Sequence, residues 1–268
     1  EPSNWRSTET LPDFLGRCGV PGIENVDTRA LTLHIREHGS MRACISTSLS
    51  AEELVAKAKA LPAVEGRDAV AAVTCAAPER WNGEAREAFT SWAEGKTKVV
   101  VYDLGVKNSQ LKGLAEQGMD LCIVPASFTA EQVKATGAEA VFLSSGPGDP
   151  AALTGVIAEA AKLAEALPMA GVGLGHQVLA LALGASSSKM KFGHHGANYP
   201  SRKLATGNVI ITTQNCDFCV TAPEGVEPTF TGLNDGVLEG FRHSTKPIIT
   251  CQFSADAGFY EEFAAMVK

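Results

Sequence analysis

Short uninterrupted apolar runs alternate with helix-like segments from Lys98 onward, and this alternation is the strongest signal in the chain. Val99-Val-Val-Tyr-Asp103 predicts a strand, 109–118 a helix closed by Gly118, 120–125 a second strand and 129–137 a second helix. A third strand follows at 140–144, then a helix at 151–167 and a fourth strand at 168–172 that runs into a Gly-x-Gly-x-Gly turn. Continuous apolar strands separated by helices imply a parallel sheet covered on both faces. After Leu183 the pattern changes to short strands at 208–213, 237–241 and 247–253, with Gly, Asn and Pro turns and a last helix at 256–267. Residues 1–77 read differently, with helices at 7–15 and 28–38 among turn-rich connections. Residues 80–98 are polar, hold two Trp and lack a period, so they read as a linker. The division predicted is 1–95, a small domain plus linker, and 96–268, an α/β domain. There is no internal repeat.

Composition narrows the picture. At 268 residues and 45% hydrophobic content the chain can bury one large core or two moderate ones. A formal net charge of −7 argues against a nucleic-acid surface, which needs clustered Lys and Arg. No apolar run approaches the roughly 20 residues of a membrane span. No secretory signal opens the sequence, and the start Glu1-Pro-Ser-Asn, without Met, reads as a processed or shortened piece. Seven cysteines, an odd number in apolar surroundings, suit a reducing cytoplasm better than a disulfide framework.

Function in parallel α/β sheets gathers at the carboxyl ends of the strands, where the Gly-rich turns at 146–150 and 173–175 fall. The run 168–177 has the shape of a nucleophile elbow, a sharp strand-to-helix turn that holds a reactive side chain at its tip. The tip here is Gly173, which has no side chain. Cys216-x-x-Cys219 would need a second pair to be a zinc or redox site, so it reads as coincidence. His34 and His38 stand at i and i+4 without an apparent third ligand and read as a solvated helix face. No metal is predicted.

The motifs together resemble the class I glutamine amidotransferases, and closely the carbamoyl-phosphate synthetase small-subunit family within them. The matching runs are Ser3-Asn-Trp-Arg-Ser-Thr-Glu9, Ile23-Glu-Asn-Val-Asp-Thr-Arg29, Tyr102-Asp-Leu-Gly-Val-Lys-Asn108, Leu143-Ser-Ser-Gly-Pro-Gly-Asp-Pro150, Gly175-His-Gln177 and Lys189-Met-Lys-Phe-Gly-His-His-Gly196. The resemblance implies a flavodoxin-like parallel or mixed sheet flanked by helices, preceded by part of a smaller amino-terminal domain. It implies that glutamine hydrolysis supplies ammonia through a tunnel to a large synthetase subunit, which carries ATP and Mg and makes carbamoyl phosphate for arginine and pyrimidine synthesis. No cofactor is expected in this chain itself.

The same resemblance assigns the site. Gly173 stands at the family's Cys nucleophile, Ser254 at its His base and Asp256 at the Glu that orients the His. Gly146, Gly148 and the Leu174 backbone match oxyanion donors, and Gln177, Asn215, Asp217 and Phe218 fall at positions near bound L-glutamine. The family's Asn-His-Gly-Phe reads Asn215-Cys-Asp-Phe218, and Gly-Gly-Asn-His-Pro reads Gly196-Ala-Asn-Tyr-Pro200. His176 follows the elbow in a structural role, and His194 and His195 belong to a loop shaping the subunit contact or tunnel mouth. Losing the nucleophile of a serine analogue costs about a million-fold in rate, so thiol-based glutaminase activity is not expected. Cys216, in a loop near the pocket, is the nearest replacement thiol but lacks an elbow and a base. Two accounts follow: a silent subunit that docks on the synthetase, or a stand-alone glutamine sensor.

Overall fold

The computed structural model describes residues 2–268, in two compact units, one ending at Ala63 and one beginning at Val64. The first unit holds α1 (Leu11–Arg17), α2 (Thr28–His38) and α3 (Ala51–Ala60). Each has a side-chain N-cap: Thr10 accepts from Asp13 N, Asp27 from Ala30 N, and Ser50 with Glu53 forms a reciprocal capping box. None of the three helices buries a residue, and Trp5, Leu11 and Ile23 are all well exposed. Local capping, not a closed core, defines these helices.

The second unit is one 11-stranded sheet with helices on both faces. Its elements are β1 (Glu79–Trp81), β2 (Arg86–Ala88), β3 (Thr97–Asp103), α4 (Asn108–Glu116), β4 (Met119–Pro125), α5 (Ala130–Ala135), β5 (Ala140–Leu143), α6 (Thr154–Ala164), β6 (Met169–Val172) and α7 (Leu174–Ala182). They continue as β7 (Ser187–Lys203), β8 (Val209–Val220), β9 (Val226–Gly232), β10 (Leu238–His243), β11 (Ile248–Cys251) and α8 (Ala257–Val267). The strand order is β2-β1-β4-β3-β5-β6-β11-β10-β9-β7-β8, parallel from β4 to β11 and antiparallel outside that block.

The parallel strands are apolar on both faces because both faces are covered. Val100 and Tyr102 of β3 pack with Val133, Leu163 and Val178 of α5, α6 and α7, whereas Val99 and Val101 pack with Leu111 and Leu114 of α4 and Phe263 of α8. Each fully buried side chain of this size contributes about 1.5–3 kcal/mol, far more than helix propensity supplies. Tertiary burial therefore fixes these short helices.

The units divide after Ala63, not near residue 95, and 80–98 is no linker. Trp81 is buried on β1, and Trp92 Nε1 donates to Thr136 O at 2.6 Å. Two buried carboxylates anchor the segment. Asp120 takes Arg80 at 3.0 Å and Ala93 N at 2.5 Å, while Asp103 takes Arg86 at 2.8 Å and Cys75 N at 3.2 Å. A polar sequence without a period is held down here by charge pairing, which periodicity does not register. A second difference concerns 187–220. The short strand expected at 208–213 and the loops expected around His194 and Cys216 form one long hairpin of β7 and β8, with His194 opposite Cys216 and His195 opposite Asn215.

The β6–α7 turn is where strand ends and helix come closest. Gly173 has φ +60° and ψ −114°, the strained conformation of an elbow tip. A Cβ on Gly171 would lie 2.5 Å from Gly175 O, and one on Gly175 would lie 2.1 Å from Leu143 O. A Cβ on Gly173 meets nothing nearer than Ser145 Cβ at 3.3 Å. Two of these glycines are required by backbone contact; at the tip a Cβ would be tight only against the Ser145 side chain. Gly173→Ala is expected to cost about 1–3 kcal/mol of backbone strain. Gly175→Ala should cost clearly more, because a carbonyl cannot move aside as a side chain can. Urea unfolding of both variants checks this, and equal losses would refute the steric distinction.

His176, in the first turn of α7, lies fully buried against the sheet, sharing a 2.8 Å hydrogen bond with Thr250 Oγ1 and packing on Phe241. Burial pushes its pKa from 6.5 down to about 3, so the ring stays neutral in the folded chain. The unfolded ring protonates near 6.5 and the folded one does not. This stability is therefore complete above pH 6.5 and is lost as pH falls towards 3. Between pH 6.5 and 5, the wild type should lose roughly 1 kcal/mol more per pH unit than His176→Gln in urea unfolding. Parallel pH slopes would contradict the assignment.

Candidate functional site

A cleft of about 420 Å³ opens at the carboxyl ends of the parallel strands. Gly105 after β3, Ser145 to Gly148 after β5, Gly173 after β6 and Gln252 to Ala255 after β11 form its floor, and Lys107 and Gln110 of the α4 start form one wall. The opposite wall is β8 from Thr213 to Phe218, together with His195. This is where a doubly wound sheet places its ligands.

The glycine turn after β5 is built by close approach. A Cβ on Gly146 would lie 2.0 Å from Leu104 O, and Leu174 Cδ2 sits 2.9 Å from the same point. Gly146 and Leu174, both expected as oxyanion donors, are thus neighbours on the cleft floor through the Leu174 side chain. Gly148, at φ +95°, packs its Cα against Ala69 and the Arg67 backbone, where a Cβ would find 3.0–3.3 Å. Ser144 ties the strands behind the turn: its Oγ accepts from Leu104 N at 3.0 Å, and its carbonyl accepts from Gly175 N at 3.0 Å. The turn is held by these protein contacts alone.

Of the positions expected near glutamine, Gln177 is already engaged. Its Nε2 donates to Phe218 O at 2.7 Å and to Gln252 Oε1 at 2.9 Å, joining α7, β8 and the end of β11. Phe218 is buried and forms the inner end of the β8 wall. Asn215 Oδ1 is 2.7 Å from His195 Nδ1, and Asp217 Oδ1 is 3.4 Å from His195 Nε2. Gly193 makes the space for this pair, since a Cβ there would lie 2.4 Å from His195 Nε2 and 2.8 Å from Asp217 Oδ1.

Gly173, Ser254 and Ala255 all line the cleft. A Cβ at Gly173 would lie between Ser145 Cβ at 3.3 Å and Gln252 O at 3.8 Å. Ser254 N donates to Thr213 O at 2.9 Å, which closes the end of β11 onto β8. Asp256 has other work: it is the N-cap of α8, its carboxylate accepting from Phe259 N at 3.0 Å. A carboxylate committed to a helix cap is not holding a base in place.

The replacement thiol is poorly suited. Burial pushes Cys216 up to about 12, aided by the nearby Glu239 and Asp217 carboxylates, so almost none is thiolate at neutral pH. Cys219 Sγ sits 3.4 Å from Ser188 Oγ. Among the described residues no group of three or more His, Cys, Asp or Glu could hold a metal ion. His34 and His38 stack at 4.2 Å, and His38 Nδ1 lies 3.0 Å from His34 O, so they cap their own helix. His194 is an interior strut, with Gln214 Oε1 and Asp235 Oδ2 each 2.7 Å from its ring nitrogens; Gln214 in turn donates to the buried Glu239 at 2.7 Å.

The cleft residues not singled out from the sequence include Lys107, Gln110 and Ser145, and His195, expected in a subunit-contact or tunnel-mouth loop, is a member of the wall. Gln110 Oε1 accepts from Ser145 Oγ at 3.1 Å, linking α4 to the glycine turn. Lys107 lies inside the Tyr102–Asn108 run, immediately before the helix, and that location at a strand end was the available signal. Nothing local announces Gln110 or Ser145, whose meeting depends on the strand order. Among the described residues, no helix is long and apolar enough to cross a membrane.

Comparison with known proteins agrees with this geometry. Residues 100–254 match the family model of class-I glutamine amidotransferases, and residues 1–45 match that of the carbamoyl-phosphate synthase small chain, CPSase domain. The carbamoyl phosphate synthase small chain of Nitratidesulfovibrio vulgaris is 50% identical over 284 aligned residues, covering 100% of this chain and 76% of the relative. That of Archaeoglobus fulgidus is 41% identical over 279, covering 100% and 75%. The crystal structure of a GMP synthase protein from Thermoplasma acidophilum superposes with a TM-score of 0.57 at 21% identity, over 65% of this chain and 96% of that one, and bears on the fold alone. With the elbow, the glycine turn and the cleft in their places and half the residues shared along its whole length, the chain belongs to the carbamoyl-phosphate synthase small-chain family of class I glutamine amidotransferases.

Proposed function

We propose that this chain is a small subunit whose glutamine-hydrolysing chemistry has been lost and whose role is to dock on a large synthetase subunit in the cytoplasm. The observation that carries the reading is the bare tip. Gly173 adopts the strained elbow conformation that exists to present a nucleophile, its nearest obstacle to a Cβ is the Ser145 side chain at 3.3 Å, not backbone, and it has no side chain. Amide hydrolysis by this route needs a thiolate, a base to take and return its proton, and a group that orients the base. Ser254 at the base position has no group that titrates near neutral pH, and Asp256 at the orienting position caps α8. The relatives named carbamoyl phosphate synthase small chain motivate the partner. The large subunit would carry ATP and Mg, make carbamoyl phosphate from free ammonia, and so feed arginine and pyrimidine synthesis.

A second reading, a stand-alone binder of L-glutamine, draws on the intact cleft. Backbone donors at Gly146, Gly148 and Leu174, with Gln177, Asn215, Asp217 and Phe218 around them, keep a pocket shape without a nucleophile. The two readings part on partners: a sensor binds glutamine alone and captures no synthetase.

The test is a glutaminase assay of the parent beside a Gly173→Cys, Ser254→His, Asp256→Glu triple variant. The parent should release no ammonia above background, a deficit on the order of a million-fold against an intact triad. The triple variant should regain part of that rate. Turnover by the parent would sink the reading, and Cys216→Ala would then show whether the remaining thiol is responsible.

A further inference from the structure

β8 is the last strand of the sheet, paired with β7 on one side and with no strand beyond it among the described residues. Its residues alternate cleanly. Thr212 and Gln214 point inward and are buried, while Val209, Ile211, Thr213 and Asn215 share the outer face. Ile211 is 67% exposed and Val209 49% exposed, although both are β-branched residues suited to a covered strand. From Thr213 onward the strand turns into the cleft wall, and Ser254 N bonds to Thr213 O. The stretch 209–211 has no such cover. An apolar, uncovered edge strand of this kind is a template for another chain.

Charge says which chain. Cross-strand partners of Ile211 and Val209 are Pro200 and Arg202, and Lys203 follows at the hairpin tip. Arg202 and Lys203 put two cations at this end of the hairpin, and no Asp or Glu occurs between 199 and 213, whereas the whole protein carries a formal net charge of −7. A second copy pairing edge to edge about a two-fold axis would set this basic rim against itself. An acidic-rimmed apolar strand from a different polypeptide meets no such repulsion.

We infer that the outer edge of β8 at 209–211 is a docking strand, which receives an extended apolar segment flanked by acidic residues from the synthetase partner. This rests on the docking role proposed above. Because the same face continues into Thr213 and Asn215, a segment seated there also borders the cleft mouth.

The experiment measures binding of the full chain to the large synthetase subunit by biolayer interferometry, for wild type, Val209→Glu/Ile211→Glu, and Arg202→Glu/Lys203→Glu. Each variant is first checked for wild-type thermal unfolding, which surface positions should preserve. The apolar-edge variant is expected to weaken binding at least tenfold, and the charge variant to weaken it at low salt with a smaller loss at high salt. Amide exchange at 209–211 should slow in the complex. If wild type binds the partner and both variants bind equally well, this inference is overturned while the docking role stands. If wild type fails to bind at all, the docking role itself fails and the inference with it. Self-association of the wild type that the Ile211 change abolishes would assign the edge to a second copy and overturn the proposed occupant.

Discussion

Backbone packed directly on backbone at the strand ends is the constraint on which the site depends. Gly175 rests on the Leu143 carbonyl, Gly146 on the Leu104 carbonyl, and Gly171 on Gly175, each so close that no Cβ could intervene. These contacts draw β3, β5 and β6 and the start of α7 into one tight cluster. Only then do Gly146 and Leu174 both line one cleft, and only then can Gln177 reach both Phe218 and Gln252. The cleft is therefore a product of the scaffold, not of the side chains that line it.

That dependence explains which parts were legible in the sequence. Val99–Tyr102 and the strands after it announce themselves because they are buried on both faces, so nearly every position is apolar apart from the paired Asp103 and Asp120. The Gly-x-Gly-x-Gly run announces the elbow for the same steric reason. Residues 79–95 were illegible because Arg80, Arg86, Asp103 and Asp120 hold them by ion pairs between positions far apart in the chain. The β7–β8 hairpin was missed in its inner half because His194, Gln214 and Glu239 form a buried polar network where apolar residues would have marked a strand. Asp256 could be placed beside the site by resemblance, but its use as a helix cap emerges only when α8 is seen to start at Ala257.

Positions that differ from the family pattern are also unlike the ones that do not, in physical terms. Gly171, Gly175 and Gly146 admit no substituent without moving backbone. At Gly173 the nearest obstacle to a Cβ is the Ser145 side chain at 3.3 Å, and Ser254, Asp256, Cys216 and Asp217 already carry side chains. Asp217 pairs with His195 over Gly193, and Asp256 contributes a cap worth about 1 kcal/mol to α8. Both residues therefore have structural partners of their own. The contacts that hold the scaffold are backbone contacts, separate from the side chains that line the cleft, so the fold does not depend on what chemistry those side chains carry.

A chain that had lost every constraint would be expected to lose the costly features along with the useful ones. The elbow at Gly173 is strained, and strain persists only where the surroundings over-determine it. Here the surroundings are the glycine contacts on either side, which fix φ and ψ at the tip whether or not a thiol is attached. The exposed apolar edge at Val209 and Ile211 has no such excuse, since polar residues there would disturb nothing beneath them. Steric necessity accounts for the empty elbow without any present use for it. It does not account for the β8 edge, and an apolar strand that nothing inside the molecule requires is the feature that most directly calls for a partner outside it.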